Sequence, residues 1–568
     1  MGPTLVRHYQ SNKRVLIVVV VIVFGLAALL SIAPFSTSNV DAASDSSFEP
    51  VPSFEEERAR GRLRSLTWNI AAINNNPFEY WITSDNPTYN ELMQSVSMRI
   101  MSPTSKEDAT VGSVFTDSMM QQLADLMRNA GFEGVDETIM RYHHDFSMRK
   151  IYSGFLADPV LGKKRLISMA DRTTNTIQVL GGDSAAYRPT VINCYTDTDL
   201  GSLDSWWARW KTFMFSTKIS VASHDHGSGA AESRTITAYQ LLDPIKKSKY
   251  PAITAEEEKI SVALQTLATA IFDAILVDMM NKVAPTSWQV VRSEMCNQLN
   301  RNKLTRTAEI LENTYAHTDV VFLQEVASSF SAKANSRALG RDLFDVLRPQ
   351  RIDPNRDQNS FILLRKGMFK TAAKRADTLT QDKQKESLST ITEAALTEEV
   401  TDSILETLKA AAAKAGTSVP VATGDLFAIT ATHKFTSTQY LFVSFHGDTN
   451  GLATIPIVNA VRDYALQHLP HHKLLFGLDA NTYSSPAADQ QGVTEFAKHY
   501  ASLGMNSCWG ISPNPLNYTT YHARTHLQTQ LNKAVSYHQM KDGLKGGDKN
   551  PKDFILFFEV SNILCAMY

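Results

Sequence analysis

Five short strings in this chain set polar side chains at the ends of apolar, strand-like runs. They are Trp68-Asn69-Ile70, Leu323-Gln324-Glu325-Val326, Phe445-His446-Gly447-Asp448, Leu478-Asp479-Ala480-Asn481 and Lys552-Asp553-Phe554-Ile555-Leu556. Carboxylates in such places are oxygen ligands for a hard divalent cation. Amides and an imidazole can donate to phosphate oxygens as charge builds, and a carboxylate can take a proton from water. Singly, each string has a plain structural explanation, since Asp-x-Asn commonly builds a turn and a Glu at a strand end is commonly solvated. What sets them apart is their order along the chain.

In this order the strings resemble the endonuclease/exonuclease/phosphatase (DNase I-like) superfamily. Its pattern is a strand with Trp/Phe-Asn, a strand with Leu-Gln-Glu, a strand-end His, an Asp-x-Asn after an apolar strand, and an Asp-x-Ile-Leu strand. The resemblance spans Leu63 to Phe558, with a large insertion between the first two motifs and a smaller one before His446. It implies a four-layer α/β sandwich with the site at one end of two facing sheets, and metal-assisted hydrolysis of a phosphate ester. On that resemblance Glu325 holds Mg²⁺ or Mn²⁺ with Asn69 beside it, and Asp479 positions or deprotonates the attacking water. Asn481 donates to a phosphate oxygen, His446 hydrogen-bonds or protonates the phosphoryl group, and Asp553 orients the machinery. The substrate stays open among lipid headgroups, nucleic acid and soluble phosphate esters. The family closes its sheet with a Ser-Asp-His strand, and no His follows Asp553 here. The expectation is a chain cut short of that strand. The alternative is a non-catalytic, partner-binding membrane scaffold that has lost it.

Other polar residues fall outside this site. His433 lies in an expected hairpin, Asp448 and Asn450 suit a turn, and His471-His472 suit a surface.

The elements that must position the site can be read from apolar patterning. Strands are expected over Leu63–Ile70, Asp319–Val326, Ser360–Leu364, Asp425–His433, Tyr440–Phe445, Lys473–Leu478 and Phe554–Phe558. Helical periodicity covers Trp288–Tyr315, and a polar helix is expected over Glu386–Ala415. Strands alternating with helices imply a layered α/β domain. The insertion, about residues 90–285, mixes helices such as Asp117–Ala130 and Glu256–Val283 with strand-like pieces at Thr176–Leu180 and Thr190–Tyr195. Trp206 and Trp210, four apart, share a helix face and suit core packing.

At 568 residues the chain can bury a large core, and with 43% hydrophobic and 20% charged residues it reads as globular. Lys+Arg 56 against Asp+Glu 58 leaves no basic excess to advertise nucleic acid. The four cysteines, Cys194, Cys296, Cys508 and Cys565, are too scattered for a zinc motif and suit either buried thiols or disulfides. The uncharged run Val15–Ala33 is close to the ~20 residues of a membrane-crossing helix. Arg7, Lys13 and Arg14 precede it and acidic residues follow, so residues 1–14 are expected in the cytosol and the remainder in the lumen or outside. Residues 34–60 read as an acidic, polar tether and 61–568 as the catalytic domain. The alternative is a cleaved signal releasing a soluble secreted nuclease that begins near Ala42-Ala43.

Overall fold

The computed structural model describes residues 16–19, 53–82, 84–180, 185–196, 199–222, 233–352, 358–370, 398–520, 524–529, 549–558 and 564–567. The chain forms two compact units. The first holds Met1–Ala72, Leu304–Tyr521 and Lys549–Tyr568, and the second holds Ile73–Lys303 and His522–Asp548.

The first unit is built on two sheets. One comprises β2 (Ser65–Asn69), β3 (Val320–Val326), β4 (Phe344–Leu347) and β5 (Asn359–Arg365) in the order β2-β3-β5-β4. The other comprises β6 (Phe369–Lys370), β7 (Glu398–Glu399), β8 (Leu426–His433), β9 (Gln439–His446), β10 (Lys473–Asp479), β11 (Met505–Ser507) and β12 (Asp553–Phe558). Its order is β6-β8-β9-β10-β12-β11, with β7 also on β8. Strand alternation shows how they stack, because successive side chains point to opposite faces. On β3, Phe322 faces a core it shares with Phe442, Leu475 and Ile555 of the second sheet. Its neighbours Val321 and Leu323 face away, onto Ala308 and Leu311 of α1 (Lys303–Asn313) and Phe330 of α2 (Phe330–Asn335). Leu474 and Phe476 of β10 likewise face away, toward α3 (Thr401–Lys414), α4 (Thr454–His468) and α5 (Val493–Ser502). Helices, sheet, sheet and helices make four layers, and the expected strands are all present.

Four residues of the run expected to cross a membrane as a helix are strand instead. Leu16–Val19 (β1) pairs in parallel with Leu564–Met567 (β13). A Leu-Ile-Val-Val stretch suits a strand as well as a helix, and outside lipid its amides need partners that a second apolar segment supplies. The rest of Val15–Ala33 lies outside the described residues. Part of the expected tether is also ordered: Phe54–Ala59 is a helix closed by a capping box of Ser53 with Glu56. It is fastened by Arg58 Nε to Asp319 Oδ1 at 2.7 Å. Of the polar helix expected over Glu386–Ala415, residues 401–414 are helical, and those before 398 lie outside the described residues.

The second unit is mostly helical. Its centre is the helix Ser261–Val283, apolar enough to cross a membrane by length and composition, yet 89% buried in its most apolar window. Asp273, midway along it, takes hydrogen bonds from Arg188 Nε at 2.8 Å, Thr190 Oγ1 at 2.6 Å and Trp210 Nε1 at 2.9 Å. Burial raises the Asp273 carboxyl while Arg188 opposes that shift, and a buried charge of this kind persists only when paired. Trp206 and Trp210 are core residues, as their spacing implied. Thr190–Tyr195 is a correction: the segment is a buried loop. Side chains take over the work of a ladder, with Arg292 donating to the carbonyls of Thr190 and Tyr195 and Asn175 to that of Ile192. Burial lowers the Arg292 guanidinium to about 10. Cys194 in this loop is bonded to Cys296, with Cα atoms 5.6 Å apart, whereas Cys508 is a buried thiol pushed up to about 12 by desolvation.

Two outcomes follow for stability. A Cβ on Gly477 of β10 would sit 2.4 Å from the Phe322 ring across the sheets, so Gly477→Ala is expected to cost about 1–3 kcal/mol by overpacking, read from its urea midpoint. Cys194→Ser is expected to lower the stability of the second unit by roughly 2–4 kcal/mol, and a denaturation midpoint unmoved by the change would contradict it.

Candidate active site

All six candidate residues stand at one end of the two sheets. Asn69 closes β2 opposite Gln324 of β3. His446 closes β9 in register with Asp479 at the end of β10, and Asp479 faces Asp553 at the start of β12. Two local devices turn side chains toward this end. The register between β3 and β5 slips between Asn359 and Phe361, a bulge of the kind that re-aims a side chain, and Glu325 there has φ 51°. Asn481, just past β10, has φ 48°. The left-handed region costs an L-residue about 1–2 kcal/mol, so surrounding contacts must hold both in place. The Asn481 N–H donates to Asp479 Oδ1 at 2.9 Å.

The centre of the site is the Asn69 side chain. Its Nδ2 donates to Glu325 Oε1 at 3.1 Å and to Asp479 Oδ2 at 2.9 Å, while its Oδ1 accepts the Ala71 N–H at 2.9 Å. One amide thus joins carboxylates from both sheets. His446 Nε2 lies 3.3 Å from Glu325 Oε1 and 3.9 Å from Asp479 Oδ2. Asp479 and Asn481 are each 5% exposed and His446 9%, whereas Glu325, Asn69 and Asp553 are half-buried. Burial, then the neighbouring Asp479 charge, push the Asp553 carboxyl up to about 8, against the pull of Thr519 and Lys552. Its Oδ1 is buried with no hydrogen-bond partner.

Three residues that support the site carried only weak signals in the sequence. Gln324, fully buried between the sheets, donates to Thr67 Oγ1 at 3.2 Å and Ser444 Oγ at 3.0 Å, and Ser444 donates to the Leu323 carbonyl. A Gln and a Ser inside apolar strands were the available hints. Thr519 Oγ1 accepts the N–H groups of Lys552 and Asp553, and nothing in its loop sequence announces that. Of the residues set aside, His472 is half-buried rather than at the surface, and the others behave as expected. Asp448 binds the N–H groups of Asn450, Leu452 and Ala453 in a turn, and His433 pairs across strands with Phe369.

A protein-family model, "Domain of unknown function (DUF8234)", matches residues 108–293, within the second unit. No curated protein matches the sequence. Among solved structures, D. rerio TDP2 complexed with single strand DNA product is 12% identical, covering 45% of this chain and 77% of that one, at a TM-score of 0.26. An endonuclease/exonuclease/phosphatase family protein from Bacteroides thetaiotaomicron is 13% identical, covering 46% and 76%, at 0.26. The human Nocturnin catalytic domain with bound sulfate anion is 14% identical, covering 45% and 74%, at 0.25.

Among the described residues no group of three or more His, Cys, Asp or Glu is arranged as a ready chelate. Mg²⁺ is commonly held by only one or two carboxylates while it keeps several waters. The half-buried Glu325 carboxylate, with Asn69 beside it and Asp479 drawn close by the same amide, fits that demand. Without a cation, the folded chain holds a proton on Asp553 up to about pH 8, whereas an unfolded Asp loses it near 4. Stability from this group is therefore full below about pH 4 and declines as pH rises toward 8. Asp553→Asn, neutral throughout, is expected to flatten that decline in urea midpoints taken in chelator from pH 5 to 8. An unchanged slope would contradict the assignment.

Proposed function

We propose that the first unit is a divalent-metal-dependent phosphoesterase of the DNase I-like kind, using Mg²⁺ or Mn²⁺ to hydrolyse phosphate esters. The observation that carries this reading is the Asn69 amide joining Glu325 and Asp479 with His446 beside them, residues far apart in sequence gathered at one end of two stacked sheets. Glu325 would hold the cation, with Asn69 next to it orienting that carboxylate. Once bound, it neutralises charge on the phosphate and the leaving oxygen.

The chain's own groups account for the remaining chemistry. Asp479, with Oδ1 fixed by the Asn481 N–H and Oδ2 by Asn69, orients the attacking water and accepts its proton. The Asn481 amide donates to a phosphate oxygen as charge builds, and His446 Nε2 donates to the phosphoryl group from the opposite side. Asp553 orients the others from the neighbouring strand. The length and lack of charge of Val15–Ala33 favour a membrane tether, against the strand pairing of Leu16–Val19, and the Cys194–Cys296 disulfide supports folding in an oxidising compartment, luminal or extracellular.

The test is metal-dependent hydrolysis by the full chain of bis-p-nitrophenyl phosphate, p-nitrophenyl phosphate and labelled DNA. Glu325→Ala and Asp479→Ala are each expected to lower the rate by about 10²-fold or more. A folded chain that binds Mn²⁺ yet hydrolyses none of the three would favour the non-catalytic scaffold.

A further inference from the structure

The sequence holds a single Asn-x-Ser/Thr triplet in which x is not proline, Asn517-Tyr518-Thr519, because Asn86-Pro87-Thr88 is barred by its proline. The triplet follows β11 in the first unit and begins at a tight turn. The Asn517 N–H donates to the Asn514 carbonyl at 3.0 Å, and the Leu516 N–H donates to Asn514 Oδ1 at 2.9 Å. Asn at the first place and Pro515 at the second are the residues such a turn favours. The turn lifts Leu516 to the surface, 82% exposed, and Ile511 earlier in the same loop is 53% exposed. The half-buried Asn517 side chain makes no hydrogen bond among the described residues.

Two residues on, the triplet is fastened to the active site. Thr519 Oγ1 accepts the Lys552 N–H at 3.0 Å and the Asp553 N–H at 3.1 Å, and Asp553 is in register with Asp479. A group carried on Asn517 therefore stands beside the Asp553 edge of the site.

We propose that Asn517 is an N-glycosylation site whose glycan borders the active site. This rests on the luminal or extracellular location proposed above and is independent of the phosphoesterase chemistry. The donor is a lipid diphosphate-linked oligosaccharide. Asn517 Nδ2 attacks the anomeric carbon, the bond from that carbon to the diphosphate oxygen breaks, the lipid diphosphate leaves, and the amide proton passes to a base of the transferase. The free amide supplies the nucleophile, and Thr519 supplies the hydroxyl that the acceptor triplet requires. In the folded chain that hydroxyl is occupied by N–H groups 33 and 34 residues further on, so the sugar is added before that segment arrives. A bulky, solubilising glycan there shields a loop that otherwise presents Ile511 and Leu516 to water.

The experiment is the intact mass of the full chain made in eukaryotic cells, before and after peptide N-glycosidase, with a peptide map across residue 517. The expected result is a glycan mass that the enzyme removes, leaving an aspartate at that position. Asn517→Gln is expected to lose the glycan entirely, and Thr519→Ser to keep it. A reporter separates the site from the location: Lys434→Asn, made in the Asn517→Gln chain, puts an acceptor triplet in the exposed hairpin turn at Phe435 and Thr436. A glycan on the reporter with none on Asn517 in the unaltered chain overturns the proposal and leaves the location standing. No glycan on either overturns both, and a glycan that survives Asn517→Gln overturns the assignment to Asn517.

Discussion

The amide of Asn69, shared between Glu325 and Asp479, is the contact on which the rest of this site depends. Two carboxylates brought close in a half-buried place repel each other, and the repulsion grows as water is excluded. A neutral donor between them offsets part of that cost, and His446 Nε2 adds a second donor near both. The arrangement requires the ends of β2, β3, β9 and β10 to meet within a few ångströms, which in turn requires two sheets with settled registers.

That requirement explains features beneath the site that have no chemistry of their own. Gln324 spans the gap between the sheets and bonds Thr67 on one side and Ser444 on the other. A polar group there is tolerated only because it is satisfied, and once satisfied it disfavours any register that would separate its partners. Gly477 lets Phe322 press against β10. The bulge in β3 and the left-handed backbone at Glu325 and Asn481 then turn the last side chains into the site. Strain of that kind persists where the surrounding structure over-determines it.

The helical unit solves a different problem. Its central helix is apolar on nearly every side and is enclosed by other helices, yet it carries Asp273 at its middle, met by Arg188, Thr190 and Trp210. The loop that supplies Arg188 and Thr190 runs through the interior without a sheet. Arg292 and Asn175 satisfy its carbonyls, and the Cys194–Cys296 bond pins it.

Much of the scaffold was legible in the sequence because its cause is local. Apolar runs bounded by polar ends mark β2, β3, β8, β9, β10 and β12, and polar residues at or just past the ends of β2, β3, β9, β10 and β12 are the six that gather at one edge. The Trp206 and Trp210 spacing marked core for the same reason. Where two local signals compete, sequence was a poorer guide. The Thr190–Tyr195 run has strand-like composition, but its hydrogen bonds go to side chains distant in sequence, and Leu16–Val19 suits helix and strand alike until a partner decides. The pairing of Cys194 with Cys296 needed distances no spacing contains. So did the contacts that define the site: which carboxylates Asn69 bridges, and that Asp553 faces Asp479 and is driven toward its protonated form. Sequence by itself determined the residue types and the strands that carry them, since both follow from short-range patterning. Only the tertiary structure decided their mutual charges, burial and partners, because those depend on distances between segments hundreds of residues apart.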